Sequence, residues 1–138
     1  MEGAGSFGGL NIPFIYDGTI VAKLAVMMST VAPAGSISPG SRRCKLTTGV
    51  TAICVGLTSV SKTDGQAGSV QMDGVAIGTS NAAITVGQEL VADAAGKLGP
   101  VTYVAGASQF IVGTALSATT ATDQDVEVQL RLNRQQGD

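Results

Sequence analysis

Near the C-terminal end of the chain the pattern of apolar and polar positions alternates cleanly. In residues 126–133, VEVQLRLN, Val126, Val128, Leu130 and Leu132 fall on one side, and Glu127, Gln129, Arg131 and Asn133 on the other. A period of two is that of a strand with one buried face. SVQMDGVAI (residues 69–77) begins in the same way, with Val70 and Met72 inward. Its phase then shifts at Asp73 and Gly74, so that Val75 and Ile77 become the inward pair, which predicts a bulge or tight bend there. Further strands are predicted in TIVAKLAVMM (19–28), VTAICVGLTSV (50–60), QELVAD (88–93), VTYV (101–104) and QFIVGTALS (109–117). Clusters of Gly, Pro, Asn, Asp and Ser separate them. Short strands with turn signals about every 8–12 residues predict an all-β sandwich or small barrel. No long amphipathic helix is predicted, because the Ala-rich stretches are short or broken by Gly.

The pattern also repeats. ISPG (37–40) answers ITVG (84–87), ICVGLTSV (53–60) answers FIVGTALS (110–117), and GSVQM (68–72) answers DVEVQL (125–130). Two weakly similar halves are expected, neither able to bury its apolar face alone and both closing on each other in one barrel-like core.

GSFGGLNIPFIY (5–16) stands apart. Three of the five aromatic residues, Phe7, Phe14 and Tyr16, sit in it. Gly8 and Gly9 loosen its start, whereas Leu10, Ile12, Phe14, Ile15 and Tyr16 are dense in apolar surface, and Pro13 biases the segment to an extended form. Two readings stand open. In one, residues 1–18 are an extended arm and 19–138 the β-barrel domain, with Phe7, Leu10, Ile12, Phe14, Ile15 and Tyr16 adding to a neighbour's sheet edge. In the other, residues 10–16 are an edge strand of the chain's own barrel.

Composition narrows the chemistry. The 138 residues suit one domain, or one domain with an arm. Net charge is −2 with only 13% charged residues, which argues against a nucleic-acid partner. No apolar run is long enough for a transmembrane helix, and Met1, Glu2 and Gly3 do not open a secretory signal, so synthesis in a cytoplasm is expected. With no histidine there is no His-based triad and no His metal ligand. Cys44 and Cys54 fit no zinc spacing. A hairpin turning near Gly49 would set them opposite one another and allow a disulfide; the alternative is two reduced, small apolar fillers. Lys97, in DAAGKLGP, reads as a turn residue and not as part of a phosphate loop. Asp123 and Asp125 read as a solvated loop, and Arg42, Arg43 and Lys45 as a strand edge kept from pairing by charge. No catalytic residue, metal site or cofactor is expected.

Two stretches together, ISPGSRRCKLTTG…ICVGLTSVSKTDGQAGSVQMDGVA and ITVGQELVADAAGKLGPV…FIVGTALSATTATDQDVEVQL, resemble the capsid decoration (cement) proteins of tailed bacteriophages, of the small β-barrel or β-tulip type. The resemblance covers roughly residues 19–133 and rests on Gly87 with Leu90, the AAGKL turn, the IVGTAL strand and the closing VEVQL strand. It implies a non-enzymatic homotrimer on the outside of a virion capsid, bridging major capsid proteins. The alternative is a β-domain of a phage tail or adhesin that binds host glycan. For that the aromatic platform is thin, since Tyr103 and Phe110 are the only aromatics outside the N-terminal segment.

Overall fold

The computed structural model describes residues 6–7, 9–29, 42–102 and 108–136. These form eleven strands and no helix: β1 (Ser6–Phe7), β2 (Asn11–Tyr16), β3 (Ala25–Met28), β4 (Arg43–Leu46), β5 (Cys54–Thr58), β6 (Ala67–Gln71), β7 (Val75–Thr79), β8 (Glu89–Ala92), β9 (Leu98–Pro100), β10 (Ser108–Ala115) and β11 (Asp125–Gln136). β2-β4-β3-β5-β6 close into a barrel, and β1-β7-β11-β10-β8-β9 form a second sheet.

The duplication is written in the topology. Read from β4, the barrel order is β4-β3-β5-β6-β2; read from β9, the sheet order is β9-β8-β10-β11-β7, with β1 added at the edge. Registers agree pair by pair. Ile12 faces Val70 and Phe14 faces Gly68 in the first unit; Ala76 faces Val128 and Gly78 faces Val126 in the second. In the Phe14–Gly68 and Gly78–Val126 pairs large and small have exchanged strands between the copies. Val26 faces Gly56, as Leu90 faces Gly113. A Cβ added at Gly56 would run into the Gln71 carbonyl oxygen and Val70 Cγ1; at Gly113 it would meet the Gln129 carbonyl oxygen and Val128 Cγ1. Both copies therefore need glycine at this crossing, for closeness of approach alone. The parallel contact that closes the first barrel (Tyr16 with Cys44) recurs in the second unit as a single bridge, Ser80 with Leu98.

One pairing read from sequence changes partner. The structural counterpart of Ile84 to Gly87 is Ile20 to Lys23, not ISPG, which lies outside the described residues. Ile20 bridges Lys62 as Ile84 bridges Thr119. The Lys23 and Gly87 amides donate at 2.8 Å to the Thr58 and Ala115 carbonyls, and both residues are left-handed, at φ 73° and 91°. A lysine at the glycine position hid this repeat from the sequence.

The two halves do not share one core. Phe14, Tyr16, Ile20, Leu24, Val26, Cys44 and Val70 fill the first barrel. The second cluster gathers Leu90, Leu98, Val112, Val126 and Val128 with Ala25, Cys54 and Leu57 borrowed from the first unit. Successive residues of β3 thus serve opposite cores, Val26 the first and Ala25 the second, as expected of a strand buried on both faces. Cys44 and Cys54 flank β3 from either side, opposite Met28 and Met27, and both are free thiols. The β4–β5 hairpin that would have joined them does not form, because β3 lies between those strands.

The units are held close. Only Met72, Asp73 and Gly74 connect β6 to β7, and Gln71 Nε2 donates to the Asp73 and Val75 carbonyls at 2.9 Å each. The phase change read at Asp73 and Gly74 is this connection. The β8–β9 turn leans on the first unit: the Ala25 amide donates to the Gly96 carbonyl at 2.7 Å and Thr47 Oγ1 to the Asp93 carbonyl at 2.7 Å.

Candidate functional site

The N-terminal segment is mostly structural. β2 pairs antiparallel with β6 over Asn11 to Ile15 and parallel with β4 at Ile15 and Tyr16. Phe14 and Tyr16 are buried in the first core, Ile12 packs against it, and Ile15 is half-buried. Of the six arm residues, Leu10 has an exposed side chain, and Phe7 is placed by its backbone, in β1, opposite Val75. The extended-arm expectation is corrected here for residues 11–16: they are a barrel strand, and a boundary after residue 18 would cut β2 from the barrel it closes. The reason is visible in the ring contacts. The Tyr16 hydroxyl lies 3.0 Å from the Ser69 carbonyl and 3.2 Å from that of Val60, and a Cβ on Gly68 would stand 2.6 Å from Tyr16 Cζ. Gly9 is likewise seated, against Gln71 and the Asp73 carbonyl, and the Leu10 amide donates to Asp73 Oδ1 at 2.6 Å.

The basic cluster is split by the pleat. Arg42 is exposed, its guanidinium 5.9 Å from the Phe14 ring centroid and its Nε donating to the Pro13 carbonyl at 3.1 Å. Arg43 points inward, is buried, and pairs with Asp17, which also accepts from Ser29 Oγ. β4 is paired on both sides, so these residues do not guard an edge. Asp93 is the centre of its turn: Oδ1 accepts from the Ala95 and Lys97 amides and Oδ2 from Asn81 Nδ2. Lys97 pairs with Asp123 at 2.6 Å and Lys23 with Asp125 at 3.0 Å. The hydrogen bond that Lys97 donates to Asp123, with the carboxylate's charge, raises the Lys97 pKa.

Little here is poised for chemistry. Burial pushes the Cys54 thiol up to about 12, and the Cys44 thiol up to about 12 against the opposing pull of Arg43. Burial, with Cys44 alongside, also raises the Tyr16 phenol. These groups hold their protons, whereas a nucleophile must lose one. Among the described residues no group of three or more potential metal ligands occurs.

What the surface offers is apolar contact. An open cleft of about 320 Å³ lies between the units, lined by Val50 and Thr51 of the first and by Val91, Pro100, Thr102, Ser108 and Gln109 of the second. Gln109 Nε2 donates to the Thr102 carbonyl at 2.5 Å. The named lining carries no aromatic ring. Phe110 is in the second core and Tyr103 lies outside the described residues, so the glycan platform gains no support. Ile53 and Met28 are exposed at neighbouring strand ends. A second apolar surface joins residues 82–87 to 116–122, through the Ile84–Thr119 bridge and the bond from the Gly87 amide to the Ala115 carbonyl. Val86 and Leu116 are exposed there. Sequence reading did not single out these residues. The signal available was the absence of any charge from 98 to 122.

Comparison with known proteins gives the same picture of the fold. The sequence profile of the phage cement protein family matches residues 17–131. The N base of the head fiber gp8.5 of bacteriophage phi29 is similar in structure, with a TM-score of 0.67 over 92% of this chain and 98% of that one, at 13% sequence identity. No curated protein matches.

Proposed function

The chain belongs to the phage cement protein family, and on that premise we propose that it is a trimeric decoration protein bound to the outer face of a phage head, where it bridges neighbouring major capsid proteins. It is a structural, capsid-associated component of the virion. The observation that carries the reading is that the family match runs through both units, 17–131, so the property shared with the family belongs to the duplicated fold as a whole. The chemistry agrees. Buried groups are spent on packing and turn-making, and the accessible features are apolar patches and an uncharged cleft, which suit protein contact.

Three copies acting together would give a durable grip from individually weak contacts. Of the N-terminal residues proposed to meet a neighbour, Leu10 has an exposed side chain and β1 lies at the edge of the second sheet, whereas Phe14 and Tyr16 are buried in the first core. Synthesis in the host cytoplasm and display on the head exterior follow from this role.

The test is co-sedimentation of the purified protein with expanded empty heads of its phage. Saturable binding at a fixed ratio to the major capsid protein is expected. Failure to sediment with the heads, with the protein folded by circular dichroism, would overturn the proposal.

A further inference from the structure

The duplication supplies an internal control for three charged residues. Among the described residues, Lys23 and Asp123 are the two that take a left-handed backbone without being glycine, at φ 73° and 62°. In each case the other copy keeps glycine at the equivalent position. Gly87 answers Lys23, and Gly65 answers Asp123: the Gly65 amide donates to the Tyr16 carbonyl and the Asp123 amide to the Ser80 carbonyl, both at 2.8 Å. Asp125 stands opposite Thr79, where its counterpart Ala67 stands opposite Ile15. Three charges thus occupy places that are glycine or alanine in the copy, two of them against the steric preference of an L residue.

All three converge on one place. Lys23 Nζ pairs with Asp125 Oδ2 at 3.0 Å, and Lys97 Nζ with Asp123 Oδ1 at 2.6 Å. The Ala25 amide, two residues on from Lys23, donates to the carbonyl of Gly96, the neighbour of Lys97. Residues 23–25, 96–97 and 123–125 therefore close a ring. It crosses the seam between the units twice, once by the Ala25–Gly96 hydrogen bond and once by the Lys23–Asp125 pair. An ion pair as exposed as these, standing alone, returns little stability and does not offset a strained backbone. Strain that local contacts leave uncompensated points to a role beyond them. What the three charges share is the crossing. We propose that Lys23, Lys97, Asp123 and Asp125 are an electrostatic lock across the seam. It holds the β8–β9 turn and the start of β11 against the first unit, and it loosens when salt screens it. The lock is complete within one chain and does not depend on the capsid reading.

Amide hydrogen exchange of the full-length chain, read by NMR, tests the lock at the Ala25 amide. The Tyr16 and Ala115 amides, which donate to the Gln66 and Gln88 carbonyls, serve as references inside the first and second units. Wild type is compared with Asp125→Asn, which removes a charge and leaves the Lys23 backbone as it is, and with Lys23→Gly, which removes a charge and relieves the backbone. Each variant is expected to exchange about two- to fivefold faster at Ala25, with the references unchanged. Molar salt should accelerate Ala25 in wild type and do so less in Asp125→Asn. The double variant should exchange no faster than either single one. Lys23→Gly separates a lock from an idle pair: if the pair is idle, relief of the backbone leaves Ala25 equally or better protected, and that result overturns the proposal. An unchanged Ala25 amide in Asp125→Asn overturns it as well. So does equal acceleration at all three amides, which would assign the pair to general stability.

Discussion

At the scale of single residues, the first barrel depends on one ring and the glycine beneath it. Tyr16 is pinned at its hydroxyl by two carbonyls and at its face by Gly68. Gly68→Ala should therefore cost about 1–3 kcal/mol, since the ring cannot yield without losing its hydrogen bond. Gly78→Ala should cost less, because the atom it meets at 2.6 Å is Leu98 Cδ1, the movable end of an aliphatic chain. Urea midpoints of the two variants compare them directly. The thiols give a second residue-scale prediction. Cys54 is raised from 9.0 to about 12 by burial, and Cys44 moves the same way. The folded chain keeps protons that the unfolded chain releases above about pH 9, so stability from this source is whole below that pH and is lost as pH rises toward about 12. Wild type should lose stability between pH 9 and 11, and Cys54→Ala should lose less over that interval, as read by denaturant titration at each pH.

At the scale of elements, β2 decides whether the first barrel exists. It holds β6 on one side and β4 on the other and brings Phe14 and Tyr16 to the core. Deleting residues 1–16 should unfold the first unit, whereas deleting residues 1–8 removes β1 and leaves the barrel closed. Circular dichroism and limited proteolysis distinguish the two outcomes, and a Δ1–16 protein with the wild-type thermal transition would show that β2 is dispensable. How far such elements could be read from sequence follows from their burial. β11 was legible because Val126, Val128 and Leu130 are inward and their neighbours are not. β2 carries the same period in Ile12, Phe14 and Tyr16, but Ile15 and Pro13 blur it, and the preceding glycines suggested a tether where Gly9 is in fact packed. β3 could be placed but not oriented, because its two faces serve two cores and no polar side marks an outside.

At the scale of the molecule, the all-β class, the barrel and the doubled plan were legible, since Gly56 and Gly113 must recur wherever the same strand crossing recurs. That the halves form two cores, the second built partly on Ala25, Cys54 and Leu57 of the first unit, was not. It depends on β3 lying between β4 and β5, a long-range pairing that no local pattern encodes. The apolar surface at 82–87 and 116–122 was half legible. The uncharged run from 98 to 122 is plain in the sequence, but its meeting with residues 82–87 exists only through the Ile84–Thr119 bridge. The seam has a mechanical meaning. Among the described residues the units are joined by a three-residue connection between β6 and β7 and by the Asp93–Gly96 turn bonded to Ala25 and Thr47. Load applied to the barrel reaches the second sheet through hydrogen bonds and a three-residue connection, so in the proposed role a shell fastened to this molecule would be braced by a strut and not by a tether that must stretch before it resists.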